Sequence, residues 1–194
     1  MKKFELTTEF ITNFLGTKLF RIKALVEFGK VEKGELGGFV EKEENLDHDG
    51  DAWVSGDARV YGDVRVYGNA WVSGDAEVSG DAEVSGDARV YGDARVYGNA
   101  EVSGDAEVSG DAEVYGNQMY ATVKGFGSEY RNTTFFITKD GNVCVNCGCF
   151  SGTLEQFREK VEETHKDTKY AKEYLMIADL MEMHFKEELE KIKK

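Results

Sequence analysis

From Gly50 onward the hydrophobic and polar positions of the chain recur every six residues. The run reads GDAWVS, GDARVY, GDVRVY, GNAWVS and onward to GDAEVY, then Gly116 and Asn117, giving eleven hexads in unbroken register. In each hexad the third position is Ala or Val and the fifth is Val, from Val54 to Val114, while the fourth and sixth are charged, polar or aromatic. Alternation by two sends third and fifth positions to one side of a short strand and the others to the opposite side. The Gly-Asp or Gly-Asn pair that opens each hexad is turn chemistry, because these residues accept positive φ at low cost. A strand of about four residues with a turn after each cannot build an ordinary sheet, but it suits a coiled solenoid in which equivalent strands stack. The chain is therefore expected to be mainly β.

The flanks carry different patterns. Residues 1–49 contain a predicted strand, Lys18 to Phe28, and a glycine-rich stretch from Gly34 to Leu46. They are expected to cap the first coil, with Phe39, Val40 and Leu46 over the Val54 and Val60 stacks, while Gly37 and Gly38 are only weak evidence of a ligand loop. Beyond Asn117, Thr133 to Thr138 and Val143 to Asn146 flank Asp140 and Gly141, a hairpin signal. Thr153 followed three residues later by Gln156 predicts a capping box, and Leu154, Phe157 and Val161 form a helical stripe. A second helix is expected from about Lys169 to the end. The predicted domains are 1–49, 50–117 and 118–194: an N-terminal β cap, a solenoid, and a C-terminal β-hairpin with a helix pair.

The Val-x-Gly-Asp/Asn-Ala-x pattern resembles the hexapeptide repeat of left-handed parallel β-helices, a family that includes trimeric acyltransferases. The resemblance implies a left-handed parallel β-helix with eighteen residues per coil, and a homotrimer. With that coil, fourth positions fall into columns: Trp53, Trp71, Arg89, Glu107; Arg59, Glu77, Arg95, Glu113; and Arg65, Glu83, Glu101. The second column alternates in sign at every coil, as cross-strand pairing favours. At one set of corners Asp57, Asp75, Asp93 and Asp111 form an acidic column. The whole layout also resembles uncharacterised phage and prophage proteins, on the stretches Arg21 to Gly38 and Cys147 to Phe157 (CGCF-x-GTLEQF). That likeness implies a viral or mobile-element origin.

Charge narrows the functional classes. The 37 acidic residues outweigh 24 Lys and Arg, for a formal charge of −13. The solenoid alone holds nine Asp and five Glu against four Arg, a net of −10. Direct grip on nucleic-acid phosphates is disfavoured. No apolar run reaches the ~20 residues of a membrane span, so a cytosolic protein without membrane contact is expected, in the host cytosol if the gene belongs to a phage.

Two clusters offer chemistry. Outward aromatics and arginines on the solenoid, Trp53, Trp71, Arg59, Arg65, Tyr67, Arg89, Tyr91 and Arg95, could stack a base and pair with phosphate, or could bury one another between protomers. Cys144, Cys147 and Cys149 with His165 form a set that could hold zinc, though the C-x2-C-x-C spacing matches no standard pair of pairs and buried structural thiols are the plainer reading. No other cofactor is expected. Enzymes of the acyltransferase family use a histidine near the solenoid as general base. Here no hexad contains one, and the three histidines are His48, His165 and His184.

The expected function is a non-enzymatic, trimeric accessory protein of phage type that binds a small anionic or nucleotide ligand, or a host protein, in counter-defence. A CoA-dependent acyltransferase is the alternative. An acidic rod that mimics DNA is the second.

Overall fold

The computed structural model describes residues 1–192. It falls into two compact units, Met1–Asp111 and Ala112–Lys194.

The first unit opens with three antiparallel strands, β1 (Phe4–Thr12), β2 (Lys18–Ala24) and β3 (Leu36–Val40). The predicted strand from Lys18 thus ends at Ala24, and β1 before it was not foreseen. β3 then pairs in parallel with the solenoid, Phe39 against Arg59 and Val40 against Val60, so the cap continues the hydrogen-bond ladder of one face. Gly37 and Gly38 serve close packing here. A Cβ on Gly37 would lie 2.5 Å from the Val54 carbonyl oxygen, and one on Gly38 would lie 2.7 Å from that of Ala58.

Each hexad supplies one two-residue strand, from β4 (Trp53–Val54) to β14 (Glu113–Val114). Strands pair in parallel with the strand three hexads on. Trp53 faces Trp71 and Trp71 faces Arg89; Arg59 faces Glu77 and Glu77 faces Arg95; Arg65 faces Glu83 and Glu83 faces Glu101. The coil is therefore eighteen residues, and the protein contains a parallel β-solenoid of about four turns. The ladder runs through the corners as well as the strands. Trp53 N donates to Ala70 O at 3.0 Å, Ser55 N to Val72 O at 2.8 Å, and Asp57 N to Gly74 O at 2.9 Å.

Third and fifth positions are buried throughout the first unit's coils. The corner glycines show why Gly opens each hexad. Gly74 has φ +69°, and a Cβ there would stand 3.0 Å from Gly92 N in the next coil, so neither a side chain nor an ordinary φ fits. Lys3 plugs the start of the prism: it is buried, and its Nζ donates to Gly50 O and Ala52 O at 3.2 and 3.0 Å. Burial holds its ammonium below the usual lysine pKa.

In the second unit an antiparallel sheet runs in the order β15 (Tyr120–Val123), β16 (Thr133–Ile137), β17 (Val143–Cys147), β18 (Phe150–Thr153). The foreseen hairpin is its centre, with an outer strand added on each side. Helix α1 (Leu154–His165) starts at the expected capping box: Gln156 N donates to Thr153 Oγ1 at 3.3 Å, and Thr153 N to Gln156 Oε1 at 2.9 Å. Helix α2 (Lys169–Ile192) follows, and the last two residues of the expected helix lie outside the described ones. The core is aromatic, with Phe157 edge-on to both Phe135 and Tyr174 at centroid distances of 6.0 and 5.6 Å, and Phe185 fully buried. No helix among the described residues is long and apolar enough to cross a membrane.

Candidate functional site

An open concavity of about 540 Å³ lies at the start of the solenoid's third face, between the cap and β6 (Arg65–Val66). Its floor forms because one buried amide pins a short 3-10 turn, Glu43–Asn45, to the first coil. Asn45 Nδ2 donates to the carbonyls of Gly62 and Val64, each at 3.0 Å, while its Oδ1 accepts from Lys42 N at 3.0 Å. All the hydrogen-bonding capacity used is satisfied, so the turn cannot lift without exposing buried acceptors. Leu46 then bridges Val66 in parallel, and Asp47 N donates to Val66 O at 2.9 Å. Glu43, Glu44, Asp47 and His48 are thereby laid beside Arg65 and Tyr67.

Hydrogen bonds fix the histidine's tautomer. His48 Nδ1 accepts from the Lys3 backbone N–H at 3.2 Å, which leaves the ring proton on Nε2, 2.7 Å from Glu43 Oε1. The Glu43 carboxyl is held below the usual carboxylate range, first by its 2.9 Å bond to Lys2 and then by His48. With both ring nitrogens engaged, His48 has no lone pair directed at a substrate.

The opposite wall is a small network. Tyr67 Oη donates to Glu83 Oε2 at 3.0 Å, Arg65 Nη1 lies 3.7 Å from Glu83 Oε1, and the Arg65 guanidinium sits over the Tyr67 ring at 5.2 Å. Of the three lining carboxylates Glu43 is already bonded to Lys2 and His48, which leaves Glu44 and Asp47 beside one guanidinium, Arg65, that leans on Glu83. The electrostatic character of the concavity is acidic.

The eight solenoid residues singled out in the sequence do not make one site. Arg65 and Tyr67 meet in the concavity. Trp53, Trp71, Arg89 and Tyr91 lie on another face, where Arg89 follows Trp71 in register, and Arg59 and Arg95 flank Glu77 on the remaining one. Trp53 is a correction. It was expected to face outward as a ligand or subunit contact, but it is 0% exposed. Its ring packs under the cap, edge-on to Phe28 at 5.4 Å and against the bare backbone of Gly37. Trp71 is half-buried, with Nε1 donating to Ser55 Oγ at 3.0 Å. Arg59, Arg65, Arg89 and Arg95 are exposed, whereas Tyr67 and Tyr91 are half-buried.

The four residues of the possible zinc set are not brought together. Among the described residues no group of three His, Cys, Asp or Glu side chains is placed to hold a metal ion. Cys144 and Cys147 are three apart on β17, and the strand's period of two sends them to opposite faces, while Cys149 is exposed in the following turn. His165 ends α1 and faces the Tyr174 ring at 5.6 Å. Cys147 instead takes a hydrogen bond from Thr133 Oγ1 at 3.2 Å and lies 4.0 Å from Tyr174 Oη. Burial, with the Cys147 sulfur beside it, pushes the Tyr174 phenol up to about 12.

The residues that sequence reasoning missed are Glu43, Glu44 and Asp47. Their only local signal is the Asn45 between them.

No curated protein matches the chain. Three segments of the solenoid, residues 58–74, 82–98 and 88–104, match the family model described as the YdcK beta solenoid repeat, which together with the observed coils makes this a β-solenoid protein.

Proposed function

We propose that this is a non-enzymatic binding protein whose acidic concavity receives a basic side chain of a partner protein. The observation that carries the reading is that Glu44 and Asp47 line a space in which Glu43 is already bonded to Lys2 and the single guanidinium, Arg65, leans on Glu83. Such a lining repels a phosphate and attracts Lys or Arg, so of the ligands considered a host protein fits better than a small anion or nucleotide. The engaged nitrogens of His48 argue against a general base, and hence against acyl transfer. The resemblance of the layout to phage and prophage proteins supports an accessory role against a host defence.

Titration of the full chain with arginine- and lysine-rich peptides, followed by the His48 ring resonances, tests this. Saturable binding is expected, weakening with salt, and Glu44→Gln or Asp47→Asn should each weaken it roughly threefold. Binding of an adenine nucleotide in place of the peptides, lost in Arg65→Ala, would restore the small-anion reading, and turnover of acetyl-CoA would replace both.

A further inference from the structure

Helix α2 turns two faces to different surroundings. Ala171, Tyr174, Ile177, Ala178, Met181 and Phe185 are buried, and Arg158 of α1 pins one flank through Asp179 at 2.6 Å and Glu182 at 2.8 Å. The far face is open. On it Met176, Leu180 and Met183 are 71%, 48% and 67% exposed, three large apolar side chains on successive turns. Single exposed apolar residues need no explanation, but a stripe at spacings of four and three on a helix is the pattern of a partner seam.

The charges around the stripe identify the partner. Lys172 lies one turn before Met176 and Glu187 one turn after Met183, with Lys169 and Glu190 a further turn out at each end. All four are exposed; Lys169 makes a loose 4.0 Å contact with Glu173 and lies over the Tyr170 ring at 5.2 Å. Read from either end, the face is the charge complement of itself about a centre beside Leu180. A second α2 laid antiparallel therefore brings Met176 against Met183, Leu180 against Leu180, Lys172 against Glu187 and Lys169 against Glu190, each polar pair occurring twice. A parallel partner would set Lys against Lys and Glu against Glu. Self-complementarity of this kind is what a two-fold, isologous contact requires, and opposite charges across the seam select the antiparallel direction.

We infer that α2 is a self-association surface on which a second copy of this chain docks antiparallel about Leu180. The apolar stripe is short, so the dimer is reversible, with a dissociation constant on the order of 10 μM. No residue of the acidic concavity takes part, so this surface and the proposed partner site stand or fall separately.

Sedimentation equilibrium of the full chain tests it. The weight-average mass should rise from one chain towards two with concentration. Leu180→Glu should raise the dissociation constant about a hundredfold, and Lys172→Glu about tenfold. The decisive variant is the swap Lys172→Glu with Glu187→Lys, which restores both cross-pairs and should return the constant to within about threefold of the parent. Both changes also suit the helix dipole, and unchanged helical circular dichroism confirms that α2 remains formed. A chain that stays monomeric throughout, an assembly indifferent to Leu180→Glu and Lys172→Glu, or a swap that fails to recover association would each overturn the proposal.

Discussion

The two units solve the same problem with opposite means. The solenoid unit gathers its large buried side chains, Trp53 and Phe4 among them, at the cap, while the coils beyond are lined by small Ala and Val and ordered by backbone ladders repeated from coil to coil. The sheet-and-helix unit concentrates its core in a few large rings, Phe135, Phe157, Tyr174 and Phe185. In the first, stability is a sum over similar coils and their interfaces. In the second, removing one ring opens a cavity that many neighbours feel. The comparison teaches that backbone geometry is the vulnerable element of one unit, and side-chain volume that of the other.

The largest expected effect tests that contrast in the aromatic unit. Phe185→Ala should cost about 3–5 kcal/mol there. Both tryptophans, Trp53 and Trp71, lie in the solenoid unit, whereas both helices lie in the other. Denaturation followed by tryptophan fluorescence should therefore be unchanged in this variant while the helical signal melts early. A common shift of both signals would show that the units unfold as one.

An intermediate effect sits at the corners. Gly74→Ala places a Cβ at 3.0 Å from Gly92 N with φ +69°, whereas at Gly104, with φ +68°, a Cβ meets nothing within 4 Å. Both substitutions bear the left-handed penalty of about 1–2 kcal/mol, and only Gly74→Ala adds the clash with the stacked coil. Chemical denaturation should rank Gly74→Ala below Gly104→Ala. Equal costs would mean that inter-coil contact contributes nothing beyond φ.

The smallest signal is alkaline and samples one phenol from each unit. Burial and the hydrogen bond it donates to Glu77 push Tyr61 up to about 12 from its ordinary 10.0, and Tyr174 is raised to about 12 as well. Because the folded state holds these protons more tightly than the unfolded chain, the stability they confer is complete below pH 10 and is lost as pH rises towards 12. Ultraviolet titration of the native protein should show a late phenolate step that shrinks in Tyr61→Phe and again in Tyr174→Phe. Its persistence in both variants would assign the step elsewhere.

How much of this was legible in the sequence differs between the units in the same way. The hexads, the eighteen-residue columns and the inward Val stack are local periodicities, and the observed register follows them. Trp53 was misread because its outward position in the hexad is real, while its burial depends on β3 crossing over it, a non-local event signalled only by Gly37 and Gly38. The acidic concavity was missed for a related reason: Glu43, Glu44 and Asp47 gain their placement from Asn45, whose bonds reach carbonyls of Gly62 and Val64 far along the chain. In the tail, the hairpin and capping box announced themselves through turn and cap chemistry. The cysteines left a metal set and plain structural thiols both open, and what separates the two is that β17 sends Cys144 and Cys147 to opposite faces.

The identity of successive coils has a consequence for how the gene can change. Because the ladder, the corner and the inward pair are the same at every level, duplication or loss of one whole coil's worth of coding sequence creates no new kind of junction. Coil number is thus a heritable variable that selection can adjust in single steps, while the cap with its concavity and the module carrying α2 are inherited unaltered.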